Sequence, residues 1–150
     1  MIPNTQKLVD DFHQVAKIGG VDLPTGAIGV ECLPKPHTPS ALENGKMAVY
    51  VFVLDEQCLK VGKAGPNSGA RYKYQHYSPK NSKSNLANSL LTCPDFPQLF
   101  EADIGNWIKH NTDRINFLID ASYGIPVLNL LEAFLQCKLK PKFEGFENQR

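Results

Sequence analysis

Ala48-Val-Tyr-Val-Phe-Val-Leu-Asp-Glu-Gln-Cys-Leu-Lys-Val-Gly-Lys-Ala-Gly65, running on into Ser68-Gly-Ala-Arg-Tyr-Lys-Tyr-Gln-His-Tyr77, is the stretch from which the fold is read. Met47 to Leu54 is apolar, β-branched and aromatic, and Cys58 to Val61 is a second such run. Asp55-Glu56-Gln57 between them reads as a hairpin turn, so two antiparallel strands are expected. Side chains alternate along a strand, which sends Val49, Val51 and Val53 to one face and Tyr50 and Phe52 to the other. Gly62 and Gly65 release the chain, and Pro66-Asn67-Ser68 turns it with Ser68 as a candidate N-cap. Gly69 to about His76 then reads as a short helix whose faces are basic and aromatic. Core packing alone does not call for that chemistry.

Upstream, Asn4 or Thr5 can cap a helix whose Leu8, Val9, Phe12, Val15 and Ala16 form one buried stripe, ended by Gly19-Gly20. From Val21 to Lys46 the prolines 24, 34, 36 and 39 and glycines 26, 29 and 45 predict an irregular, wrapped connection. Downstream, Ser84 or Asn85 can cap a helix through Leu86, Leu90 and Leu91. A further helix is predicted over Leu99 to Lys109 with Phe100, Ile104, Trp107 and Ile108 inward, and a strand over Arg114 to Ile119. Pro126 suits the first turn of a last helix, Val127 to Leu139, with Leu128, Leu131, Phe134 and Leu135 in the core and Pro141 as its stop. The order implies an α+β fold, a small, mostly antiparallel β-sheet flanked by helices, with an N-terminal helical extension. Residues 1–46 form that extension and its connection, and residues 47–150 the main domain.

With 150 residues the chain can bury a core without disulfides or a structural metal. Cys32, Cys58, Cys93 and Cys137 form no Cys-x-x-Cys pair, which excludes a zinc knuckle read from spacing and predicts free, mostly buried thiols. No apolar leader opens the chain and no run reaches the roughly 18 apolar residues of a membrane span, so a soluble, cytoplasmic protein is expected. A formal net charge of +1 hides an uneven distribution. Between Glu56 and Asp95 there is no acidic residue, while Lys60, Lys63, Arg71, Lys73, Lys80 and Lys83 all fall there. Such a segment suits a polyanion: the lysines can neutralise backbone phosphates, and Tyr72, Tyr74 and Tyr77 can stack on bases or sugars. The plainer reading is a solvated helix and loop.

Taken together, Tyr50, Lys60-Val-Gly-Lys63, Arg71 and Leu130-Leu-Glu132-Ala-Phe-Leu135 ahead of Leu139-Lys-Pro-Lys-Phe143 resemble the GIY-YIG nuclease superfamily. Ala48-Val-Tyr50 stands at the GIY element and Lys60-Val-Gly62 at the YIG element, and the resemblance covers about residues 47 to 144. It implies a GIY-YIG-like fold and an endonuclease hydrolysing phosphodiester bonds in DNA. Tyr50 would help activate water, Arg71 would contact the phosphate, and Glu132 would hold one Mg2+ or Mn2+. Lys60 departs from the second motif tyrosine, a change that implies a lysine tuning a neighbouring phenol or contacting the phosphate. His76 lies five residues past Arg71 where many members place a histidine or tyrosine four past, and it is the candidate for proton transfer. Glu144 stands where the family often has Asn.

The residues also carry readings of their own. Glu132 among leucines and a phenylalanine needs a cation or a water-filled cleft, unless it lies on a solvated helix face with Asn129 and Gln136. Arg71 matches bidentate phosphate binding but is equally an ordinary exposed helix arginine, and His76 an ordinary surface histidine. Lys63, Tyr72, Lys73, Lys80 and Lys83 are the candidate nucleic-acid contacts. DNA is the expected partner, RNA is not separated from it, no membrane is expected, and the N-terminal region is open to three roles: target recognition, a homodimer contact or a wrapped arm. The alternative to an enzyme is a non-catalytic nucleic-acid-binding module with a nuclease-like fold.

Overall fold

The computed structural model describes residues 3–80 and 85–143. The chain is α+β: four strands, β1 (Ile28–Leu33), β2 (Lys46–Leu54), β3 (Gln57–Ala64) and β4 (Asp113–Asp120), form one sheet in the order β1-β4-β2-β3 with every pair antiparallel. The expected hairpin is present, and its turn is tighter than expected, because Gln57 already pairs with Leu54. Asp55 takes a positive φ of 53° at the turn, a conformation that two-residue hairpins demand and Asp tolerates. Phe52 pairs with Lys60 but Val53 with Cys58, which leaves Leu59 as a bulge in β3.

Alternation along β2 splits the molecule into three layers. Val49, Val51 and Val53, with Val61, Ile115, Phe117 and Ile119, lie under α1 (Thr5–Ile18) and α5 (Ile125–Leu139). The α1 stripe of Leu8, Val9, Phe12 and Ala16 closes on this face, and the Asn4 side chain caps the helix by accepting from the Lys7 N–H at 3.0 Å. Ala48, Tyr50 and Phe52 face the other way. They are covered by α2 (Gly69–Lys73), a 3-10 turn (Gln75–Tyr77), α3 (Leu86–Thr92) and α4 (Ile104–Asn111). Asn85 caps α3 through the Asn88 N–H at 2.8 Å.

Four expectations are corrected. The 21–46 connection contains β1, in which Ile28, Val30 and Cys32 alternate with Gly29 and Glu31 and which β4 pairs along all six positions. The helix expected from Leu99 begins only at Ile104, so Phe100 is 67% exposed and not inward. Ser68 precedes α2 without a side-chain capping bond. Of the thiols only Cys58 is buried; Cys32 and Cys137 are exposed and Cys93 is intermediate.

The end of α5 positions the last described residues against the hairpin. Pro126 lies in its first turn, and Lys140 takes a left-handed φ of 47° just after Leu139. The chain then returns beside β3, where the Lys142 and Phe143 N–H groups donate to the Cys58 and Leu59 carbonyls at 3.0 and 2.9 Å. No helix among the described residues is long and apolar enough to cross a membrane.

Candidate active site

The site begins with a missing side chain. Tyr50 on β2 lies directly opposite Gly62 on β3. A Cβ at Gly62 would stand 2.6 Å from Tyr50 Cε2 and 2.9 Å from its Cζ and hydroxyl oxygen. The ring therefore lies across β3, the last strand of the sheet, through the space that any other residue would fill. Glycine here is required by close approach, not by backbone angle.

The phenol meets His76 from the 3-10 turn, with Tyr50 Oη 2.7 Å from His76 Nε2. The other ring nitrogen, Nδ1, accepts the Leu86 backbone N–H at 3.0 Å. A backbone amide can only donate, so Nδ1 is bare and the neutral ring carries its proton on Nε2. His76 is thus a donor to the phenol oxygen. Its pKa lies well below the usual histidine range because burial disfavours the cation, and Lys60, Arg114 and Arg71 repel it. Burial also raises the Tyr50 pKa; Arg71 opposes this by hydrogen bond and charge, Arg114 opposes it by charge, and Glu132 reinforces it.

Those effects place the five sequence-selected residues in one electrostatic neighbourhood. Tyr50 comes from β2, Lys60 from β3, Arg71 from α2, His76 from the 3-10 turn and Glu132 from α5. Arg71 is exposed, Lys60 and His76 are buried, and Tyr50 is enclosed. The Glu132 side chain is 20% exposed and pairs with Lys63 Nζ at 3.2 Å, so it is not on a freely solvated face. Lys63 also donates to Asn129 Oδ1 at 2.8 Å. Its side chain is 38% exposed, so the ion pair lies at the surface edge of the site.

Glu132 is the residue that could hold a metal. Among the described residues no three His, Cys, Asp or Glu side chains gather as a ligand group. Mg2+ does not need such a group, since one carboxylate, waters and substrate phosphates complete its shell. The donor set fits that mode, with Lys63 as the cation now on the carboxylate.

The remaining candidates divide. Tyr72 is buried and has no surface to offer nucleic acid. Lys73 stands 5.2 Å from the centroid of the Tyr74 ring, and Tyr74 is 56% exposed. Lys80 lines a separate hollow of about 620 Å³ with Tyr77, Glu101, Asn106 and Lys109. Lys83 and Glu144 lie outside the described residues.

Sequence reading missed the network that roofs the site. Arg114 on β4 is fully buried, its guanidinium carbon 4.7, 5.0, 5.3 and 5.9 Å from the ring centroids of Tyr72, Tyr50, Phe52 and Tyr77. It donates to Asn116 Oδ1 at 2.8 Å, the Tyr77 hydroxyl at 3.1 Å and the Tyr72 carbonyl at 2.6 Å. Tyr77 in turn donates to His37 Nε2 at 2.8 Å, because His37 Nδ1–H is committed to the Thr112 carbonyl, also at 2.8 Å. Asn116 Nδ2 donates to Glu31 at 2.9 Å. The available signal was Arg114 and Asn116 alternating with Ile115 and Phe117 in an otherwise apolar strand.

No family model, curated protein or solved structure matches the chain.

Proposed function

We propose that the chain is a metal-dependent endonuclease of the GIY-YIG type that hydrolyses phosphodiester bonds in DNA. The observation that carries this reading is the Tyr50–His76 contact laid across Gly62, with Glu132 of α5 ion-paired to the adjacent Lys63 and with Arg71 and Glu132 both acting on the Tyr50 phenol.

Each residue then has a task. Arg71, exposed on α2, binds the phosphate through its planar fork. The Tyr50 phenol first gives its proton to solvent, against the burial that raises its pKa. His76 Nε2–H and the charges of Arg71 and Arg114 stabilise the phenolate so formed, which then takes a proton from the attacking water. Because His76 is held neutral by its Leu86 contact, it serves as a donor and not as the base. Lys60, buried beside His76, adds positive charge to the same region. A divalent cation on Glu132 supplies charge to the phosphoryl oxygens and leaving group when bound.

A nucleic-acid-binding module without hydrolysis is the second reading, favoured by the ion pair that already occupies Glu132. Plasmid DNA incubated with the wild type and with Glu132→Ala and Arg71→Ala, in Mg2+ and in Mn2+, separates the two. Cleavage that falls at least about a hundredfold in both variants, each step resting on one phosphate or metal contact, supports the enzyme. Salt-sensitive DNA binding with no cleavage by any version in either metal supports the module.

A further inference from the structure

Beside Arg71 lies an open hollow of about 330 Å³ lined by Ala70, Arg71, Tyr74 and Gln75. That is at the small end of the roughly 300–1,000 Å³ of ligand clefts. We infer that it holds one unstacked nucleobase, laid on Tyr74, next to the phosphate bound by Arg71. This inference rests on the nucleic-acid substrate proposed above and assigns a substrate feature to the site: DNA with an unpaired or extruded nucleotide at the cleaved position.

Of the three tyrosines in the basic segment, two have other work. Tyr72 is buried over the Arg114 guanidinium, and the Tyr77 hydroxyl accepts from Arg114 and donates to His37. Tyr74 is 56% exposed. Its N–H donates to the Ala70 carbonyl at 2.9 Å, so Tyr74 continues the helical register of α2. Arg71 and Tyr74 are therefore helix neighbours three residues apart, with Cβ atoms about 5–6 Å from each other. A phosphate and the base of a neighbouring nucleotide can be met together by such a pair. Lys73 Nζ stands over the Tyr74 ring, 5.2 Å from its centroid, and leaves the ring's opposite face for the base. The Gln75 side chain brings an amide, a donor and an acceptor, to the edge of a stacked base.

Two duplexes of one sequence, fully paired or with a single unpaired 2-aminopurine, test the inference by fluorescence and affinity in EDTA, where no cleavage occurs. The wild type is expected to bind the unpaired-base duplex about tenfold more tightly and to quench its fluorescence, as one aromatic–base stack gives. Tyr74→Phe keeps both effects. Tyr74→Ala loses both while keeping the wild-type melting temperature, since the side chain lies at the surface. Equal preference in the wild type and Tyr74→Ala overturns the base site, and plasmid cleavage by the same wild-type sample then leaves the hydrolase reading standing. Conversely, quenching that depends on Tyr74 in a wild type that cleaves nothing in Mg2+ or Mn2+ supports the base site and removes the hydrolase.

Discussion

The two faces of the sheet are equally dry but are held by different physics. Under α1 and α5 the contacts are aliphatic and aromatic: Val49, Val51, Ile115, Phe117 and Leu131 pack with no polar atom to satisfy. Under α2, α3 and α4 the same strands send inward Tyr50, Arg114 and Asn116, met there by His76, and every buried side-chain nitrogen and oxygen among the described residues has a hydrogen-bond partner. Dispersion tolerates small shifts and isosteric exchange, because its many contacts are individually weak. A directional network does not, since each donor lost leaves a buried acceptor bare. The first face holds the fold, and the second holds groups at fixed positions, as preorganised chemistry requires.

Neighbouring residues on β4 make the sharpest comparison. Ile115 and Arg114 are both fully buried and point to opposite faces. Ile115→Leu, a volume-conserving swap, should cost less than about 1.5 kcal/mol. Arg114→Met keeps much of the volume but strips donors from Asn116, the Tyr72 carbonyl and Tyr77, and at about 1 kcal/mol or more for each orphaned group it should cost about 3 kcal/mol. Urea midpoints at constant slope measure both. Equal costs would mean that the polar face is packed by volume alone.

Gly62→Ala tests the same contrast at the site. One added methyl group meets Tyr50 Cε2 at 2.6 Å, and neither the ring nor the paired strand has free space to give. Overpacking of this kind costs about 2 kcal/mol. Moving the phenol off His76 should also lower DNA cleavage by tenfold or more. Retained cleavage with the full loss of stability would separate the position of Tyr50 from the chemistry.

The unequal legibility of the two faces follows from the range of the interactions. The β2–β3 hairpin and the stripe on α1 are local patterns, and alternation alone places Val49 and Tyr50 on opposite sides. Strand β1 alternates locally, but its pairing is not local: Ile28 to Leu33 pairs with β4, some 85 residues later, as Asn116 with Glu31 shows. The three tyrosines of 72–77 look alike in sequence, but residues two apart on one helix do not share a face, so the register of α2 sends Tyr72 inward and leaves Tyr74 out. Arg114 was hidden most completely. A buried guanidinium is acceptable only when rings from β2, α2 and the 3-10 turn surround it, and no single window of sequence contains them.

The smallest effect separates the faces by pH. His76 has a folded pKa well below its unfolded value near 6.5, because burial disfavours the cation and Lys60, Arg114 and Arg71 oppose its proton, with no carboxylate among the groups that shift it. His37, on the same face, is lowered too, chiefly by burial. The unfolded chain therefore binds more protons than the native one below about pH 6.5. Their contribution is fully present above that value and is lost as pH falls toward the folded pKa, with a slope of at most about 1.4 kcal/mol per pH unit for each histidine. His76→Asn retains an acceptor for the Leu86 N–H and removes the titration together with the donor to Tyr50. It should be about 1 kcal/mol less stable than the wild type at pH 7.5, the net worth of one hydrogen bond, and the two should converge between pH 6.5 and 5. Parallel curves across that range would show that His76 takes up its proton in the folded state, and the assignment of Nε2–H as a fixed donor to the Tyr50 phenol would then be wrong.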